Sequence, residues 1–207
     1  FQGNCECIAV NYNEPPPNVI DRDVYIVDFS YKRNILLTLL EKARSLIVLD
    51  HHKTAEEDLD GLVFCYFDLS ECGASMTWKY FYPQKDFPLL IQYVKDRDLW
   101  LFNLHKSKEV NAYIHSFPFN FDVWDNLNEM IEYQYSMCVS SGEAILQSIE
   151  QQVQRIIKQK ERIKIRGYDV PMVNSCLHQS EVGNIMSEKE AFAAVYFLKG
   201  GVYHFSL

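Results

Sequence analysis

An aspartate followed by two histidines, Asp50-His51-His52, comes straight after a short apolar run and precedes Lys53-Thr54. Carboxylate oxygens combined with imidazole nitrogens suit a hard or borderline divalent ion, Mn²⁺ first, with Mg²⁺ or Co²⁺ as alternatives. Another acid, Asp28, ends an apolar run upstream, and an acidic pair, Asp96 and Asp98, follows a helical stretch downstream. Two ions about 4 Å apart can clamp a phosphoryl group and generate a hydroxide between them, with a carboxylate as shared ligand. Asp28 is the candidate for that bridge. A bare Asp-His-His string recurs by chance in loops, and an aspartate such as Asp28 can simply cap a helix. Their positions at the ends of apolar runs are what point to chemistry.

Those positions depend on the elements that precede them. Val24 to Asp28 reads as a buried parallel strand ending in an acid, and Leu46 to Leu49 as another that delivers Asp50, His51 and His52. Ser30 can cap a helix over Arg33 to Arg44, with apolar positions at Ile35, Leu36, Leu39 and Leu40. Cys7 to Tyr12 and Gly61 to Phe67 are further strand candidates, and Gly73 to Tyr82 and Phe87 to Lys95 are helices, the former stopped by Pro83. Strands alternating with helices predict an open, mostly parallel sheet, in which ligands bind beyond the carboxyl ends of the strands. From about Asp122 to Lys164 the pattern is helical, and the glutamine-rich part from Ser141 reads as a long, partly solvated helix between two lobes. After Gly167 the strand signal returns, with a hairpin at Gly200-Gly201. The expected fold is therefore α/β: a mostly parallel-sheet N-terminal domain over 1–138, a helical linker over 139–164, and a small mixed α+β C-terminal domain over 165–207.

The formal charge of −8 disfavours long duplex DNA, which usually needs a broad basic surface. It leaves room for a short phosphate-bearing substrate, because a bound cation supplies the positive charge locally. No apolar run is long enough to span a bilayer, so no membrane is expected. No basic, apolar leader opens the chain. The six cysteines show no paired zinc spacing and read as buried thiols of a reducing, cytoplasmic compartment. A homodimer is compatible with these features.

Four blocks in this order, VYIVDFSY (Val24 to Tyr31), VLDHHKTA (Val48 to Ala55), CGAS (Cys72 to Ser75) and YVKDRDLW (Tyr93 to Trp100), resemble the DHH phosphoesterases, in the branch of oligoribonuclease and exopolyphosphatase-related proteins. The resemblance implies a manganese-dependent hydrolase holding two ions, with Asp28 as bridging ligand and His51 and Asp96 as further metal ligands. Asp98 is the fallback for Asp96. It implies that Asp50 orients the site from behind and that His52 meets the substrate phosphate as donor or general acid. Lys53 and Arg97 become candidate phosphate contacts. The implied reaction is attack by a metal-bound hydroxide on a short single-stranded RNA or a small nucleotide phosphodiester. Polyphosphate or pyrophosphate hydrolysis, and nucleotide binding without hydrolysis, are the alternatives.

Two departures stand out. Gln2 falls where the family's opening strand ends in histidine, and the Asp-Gly and helix expected next are absent before Glu6. The glycine-rich Gly-Gly-His segment of the associated C-terminal domain is also absent. Missing segments explain both better than a lost metal site, since deleting a buried helix would expose apolar sheet surface.

Overall fold

A computed structural model describes residues 5–12 and 14–207. The Gln2 position therefore lies outside the described residues. Among the described residues the chain forms eight helices and two sheets, one of three strands and one of four. Among the described residues no helix is long and apolar enough to cross a membrane.

The first compact unit runs through Ser107 and includes Asn120–Tyr133. Its sheet has the order β1 (Asp23–Val27), β2 (Ser45–Asp50), β3 (Cys65–Phe67), all pairs parallel. The crossovers carry α1 (Arg33–Lys42) and α2 (Lys53–Leu59), and α3 (Gly73–Phe81) and α4 (Leu89–Asp98) follow β3. Leu36 and Leu39 of α1 pack with Leu46 and Val48 of β2 and Leu59 of α2 into one core. β2 is central and almost wholly buried, as a parallel strand with two neighbours should be. β1 is not: Tyr25 and Val27 are exposed, because among the described residues β1 pairs on one side only. The Cys7 to Tyr12 run, expected as a strand, joins neither sheet.

The second unit comprises Lys108–Phe119 and Gln134–Leu207. After α5 (Ser107–His115) the chain leaves for α6 (Phe121–Tyr133), then returns as α7 (Tyr135–Ile157). The sheet follows: β4 (Glu161–Ile165), β5 (Tyr168–Asn174), α8 (Gln179–Ser187), β6 (Ala194–Lys199) and β7 (Val202–Ser206), in spatial order β4-β5-β6-β7. The β6–β7 pair is antiparallel about Gly200-Gly201, which hold φ of 59° and 80°. Such angles are cheap only for glycine.

The expected parallel-sheet DHH domain, linker helix and small separate domain are corrected by this arrangement. α7 is no linker. Ile149, Val153 and Ile156 recur at helical spacing and pack with Val173, Val182 and Val195 in the core of the second unit. Gln147, Gln151 and Gln154 are exposed, which is what gave the sequence its solvated look, while Gln152 is half-buried and pairs with His178. Glu161 to Lys164, expected as the helix's last turn, forms most of β4 instead. The cysteines also differ from expectation: Cys72 and Cys138 are buried, whereas Cys5, Cys7 and Cys176 are exposed.

Candidate metal centre

β1 and β2 run parallel with Val27 beside Leu49, so the residues just past each strand emerge together. Asp28 follows β1 with φ 56°, in the left-handed region that aspartate tolerates better than most residues. Its backbone N–H donates to the Leu49 carbonyl at 2.9 Å, which ties the turn to the end of β2. His51 and His52 leave β2 and lead into α2.

His51 is the centre of the arrangement. Its Nε2 lies 3.1 Å from Asp28 Oδ1 and 3.4 Å from Asp98 Oδ2, with the imidazole 13% exposed. One ligand atom from each of Asp28, His51 and His52 lies within 4.8 Å of the others. Asp28 keeps about half of its side-chain surface in solvent. Even so, the protein around it pushes its carboxyl pKa up, and the Asp98 charge adds to the rise while His51 and His52 oppose it. Two acids facing one imidazole are an electrostatic arrangement that a cation would relieve.

Asp50 does different work. It is fully buried, and its Oδ1 accepts the backbone N–H of His51 at 2.7 Å and of His52 at 3.3 Å. The same oxygen lies 2.7 Å from His52 Nδ1, and Oδ2 accepts the Ser30 hydroxyl. With Nδ1 set against the Asp50 carboxylate, Nε2 is the ring nitrogen left for other partners. Asp50 thus sets both the backbone turn and the ring orientation of the histidines without offering itself to an ion.

The two acids of α4 are separated by helical geometry. Residues two apart on a helix point about 200° apart, so Asp96 and Asp98 cannot both face His51. Asp96 is 5% exposed, and its carboxylate accepts the backbone N–H of Asn103 at 2.9 Å and of Leu104 at 3.1 Å. It shapes the loop after α4. Asp98 is the acid beside His51. Lys53 is exposed on the first residue of α2, next to His52, and Arg97 is half-buried on α4 between the two acids.

Residues outside the Asp and His pattern hold this centre in place. A Cβ on Gly73 would lie 2.2 Å from Asp28 Cβ and 2.6 Å from its Oδ1, so the start of α3 can abut Asp28 only as glycine. That start is fixed by a reciprocal pair in which Cys72 Sγ accepts from the Ser75 N–H and Ser75 Oγ accepts from the Cys72 N–H. Glu71 accepts from Ser75 and from Lys79 of α3 and pairs with Lys95 of α4 at 2.8 Å. Burial raises the Glu71 pKa, but the hydrogen bonds from Lys79, Lys95 and Ser75 outweigh it and bring it down to about 2. Glu71 carries no motif signal, and Ser30, expected to cap α1, donates to Asp50 instead. The glycine opening α3 carries one, because a residue with no side chain at a helix start implies a close neighbour.

No family model matches the chain. An uncharacterized protein of Acanthamoeba polyphaga mimivirus is 32% identical over 162 residues, a stretch covering 76% of this chain and 36% of that one. The chain thus spans about a third of that relative's length. An uncharacterized protein from Helicobacter pylori, known as a crystal structure, is similar with a TM-score of 0.41 and 12% identity, over 84% of this chain and 66% of that one.

Proposed function

We propose that the chain is a divalent-metal phosphoesterase with Mn²⁺ as its first-choice ion. The observation that carries this reading is the placement of His51 Nε2 between the Asp28 and Asp98 carboxylates, at the carboxyl ends of two adjacent parallel strands. Carboxylate oxygens with one or two imidazole nitrogens fit Mn²⁺, with Mg²⁺ or Co²⁺ as alternatives. Asp28, His51 and Asp98 would hold the ion, and one ring nitrogen of His52 lies within 4.8 Å of ligand atoms of Asp28 and His51. When bound, the ion polarises a phosphoryl oxygen and makes a nucleophile available near neutral pH.

The chain's own groups supply the rest. His52, with Nδ1 fixed by Asp50, presents Nε2 to a phosphate; in its imidazolium form that nitrogen would donate a hydrogen bond or protonate the leaving oxygen. Lys53 is placed one residue further to meet an anionic oxygen. A short oligoribonucleotide or small nucleotide phosphodiester is the substrate class proposed, on the resemblance of the four sequence blocks to DHH phosphoesterases.

Incubation of a labelled RNA dinucleotide with the protein, with Mn²⁺ or with EDTA, tests this. Mononucleotides should appear with Mn²⁺ alone, and Asp28→Ala and His51→Ala should each abolish their release while far-UV circular dichroism stays unchanged. Full turnover in both variants would remove the site from consideration.

A further inference from the structure

Beside His52 the first unit contains a cavity of about 470 Å³. That volume falls within the ~300–1,000 Å³ common for small-molecule sites. Three aromatic rings form part of its wall. Tyr12 and Phe29 have centroids 4.8 Å apart, and Tyr31 meets Phe29 edge-on at 4.8 Å. Tyr12 is 64% exposed, so one ring of the set is accessible to an incoming partner. Tyr31 is the reverse: 7% exposed, with a buried hydroxyl that has no hydrogen-bond partner. That hydroxyl is closed to solvent, so Tyr31 backs the wall by packing against Phe29.

The charges on the wall narrow the occupant. Lys32 is the one cation lining it among the described residues, against the carboxylates of Glu14 and Asp58. A polyanion would be repelled. A neutral ring carrying N–H donors would find acceptors in the carboxylates and apolar faces in the tyrosines and phenylalanine. His52 belongs to both this wall and the candidate metal centre.

From this juxtaposition we infer that the cavity is the subsite for the nucleobase of the substrate, seating the ring while the attached phosphate reaches His52. This inference takes the identity of the neighbouring centre from the phosphoesterase reading. The cavity itself stands on its own observations. It also separates substrates: a nucleoside ester fills it, and pyrophosphate or polyphosphate does not.

Equilibrium dialysis of the whole chain against labelled adenosine, with no metal, reads the cavity directly. Mn²⁺ binding, followed separately by electron paramagnetic resonance, reads the metal centre. Adenosine should bind, and ribose should not compete. Tyr12→Ala, a change at an exposed ring, should weaken adenosine at least fivefold, and Ala55→Trp, which projects an indole from α2 into the cavity, at least tenfold. Mn²⁺ affinity should be unchanged in both. Adenosine binding that is absent from the wild-type protein, or equal in wild type, Tyr12→Ala and Ala55→Trp, overturns the subsite whatever Mn²⁺ does. Adenosine binding with the expected losses but without any Mn²⁺ binding supports the subsite and removes the metal reading alone.

Discussion

Replacing Gly73 with alanine tests whether the start of α3 sets the position of Asp28. The added Cβ would lie 2.2 Å from Asp28 Cβ and 2.5 Å from its Cγ, where ordinary contact begins at 3.4 Å. Asp28 or α3 must therefore yield by roughly 1 Å, a displacement large enough to cost about 100-fold when it occurs at reacting groups. Overpacking of this kind costs about 1–3 kcal/mol, or roughly 3–10 °C in melting midpoint for a chain of this size. Mn²⁺ affinity should fall about 10–100-fold, the usual result when a ligand's support is disturbed. Gly61→Ala is the control: φ there is 81°, so alanine is strained, yet nothing lies within 4 Å of the new Cβ. It should lower the melting midpoint and leave Mn²⁺ binding intact. Thermal unfolding with Mn²⁺ titration of both variants decides the matter. Gly73→Ala binding Mn²⁺ as tightly as wild type would refute the reasoning.

Other expectations follow from the same contacts. Asp98→Asn should weaken Mn²⁺ at least tenfold with little change in stability, whereas Asp96→Asn should cost about 1–3 kcal/mol through the loop it holds; urea unfolding and Mn²⁺ titration of each separate the roles. The Glu71 carboxyl titrates in the folded protein at about 2, below its ordinary 4.5. Its contribution, on the order of 3 kcal/mol, is therefore complete above pH 4.5 and shrinks as pH falls toward 2. Urea unfolding of wild type and Glu71→Gln from pH 6 to pH 3 should show the gap between them narrowing with acid, and a constant gap would contradict the assignment. Val153→Ala should cost roughly 2 kcal/mol if α7 is core rather than linker, and calorimetry showing no change would return it to solvent.

Much of the first unit was legible because short apolar runs ending in Asp28 and Asp50 carry the signature of parallel strands with a site at their tips. The choice between Asp96 and Asp98 was not. It depends on α4 continuing through Asp98, and the acidic residues there read as a loop after a helix ending at Lys95. β4 was hidden for a related reason. Glu161, Arg162 and Lys164 alternate with Ile163 and Ile165 on a half-exposed edge strand, and in one dimension that charge density resembles the end of a solvated helix. α7 was found as a helix but given the wrong surroundings, since only the fold shows that its Ile149–Val153–Ile156 stripe meets β5 and α8. Cys7 to Tyr12 has a strand's composition, yet pairing is a property of neighbours and not of the run itself.

Glu71 binds Lys79 on α3 and Lys95 on α4 through one oxygen, and those two helices carry the residues that place Asp28 and Asp98. The gap between the flanking acids is therefore gauged by a clasp outside the cation's reach. Oxygen-to-ion distances grow from about 2.0–2.1 Å for Mg²⁺ to 2.3–2.6 Å for Ca²⁺. A few tenths of an ångström in the spacing of this helix pair is enough to change which ion radius the acids suit, so lengthening or shortening the clasp retunes ion preference without touching a ligand.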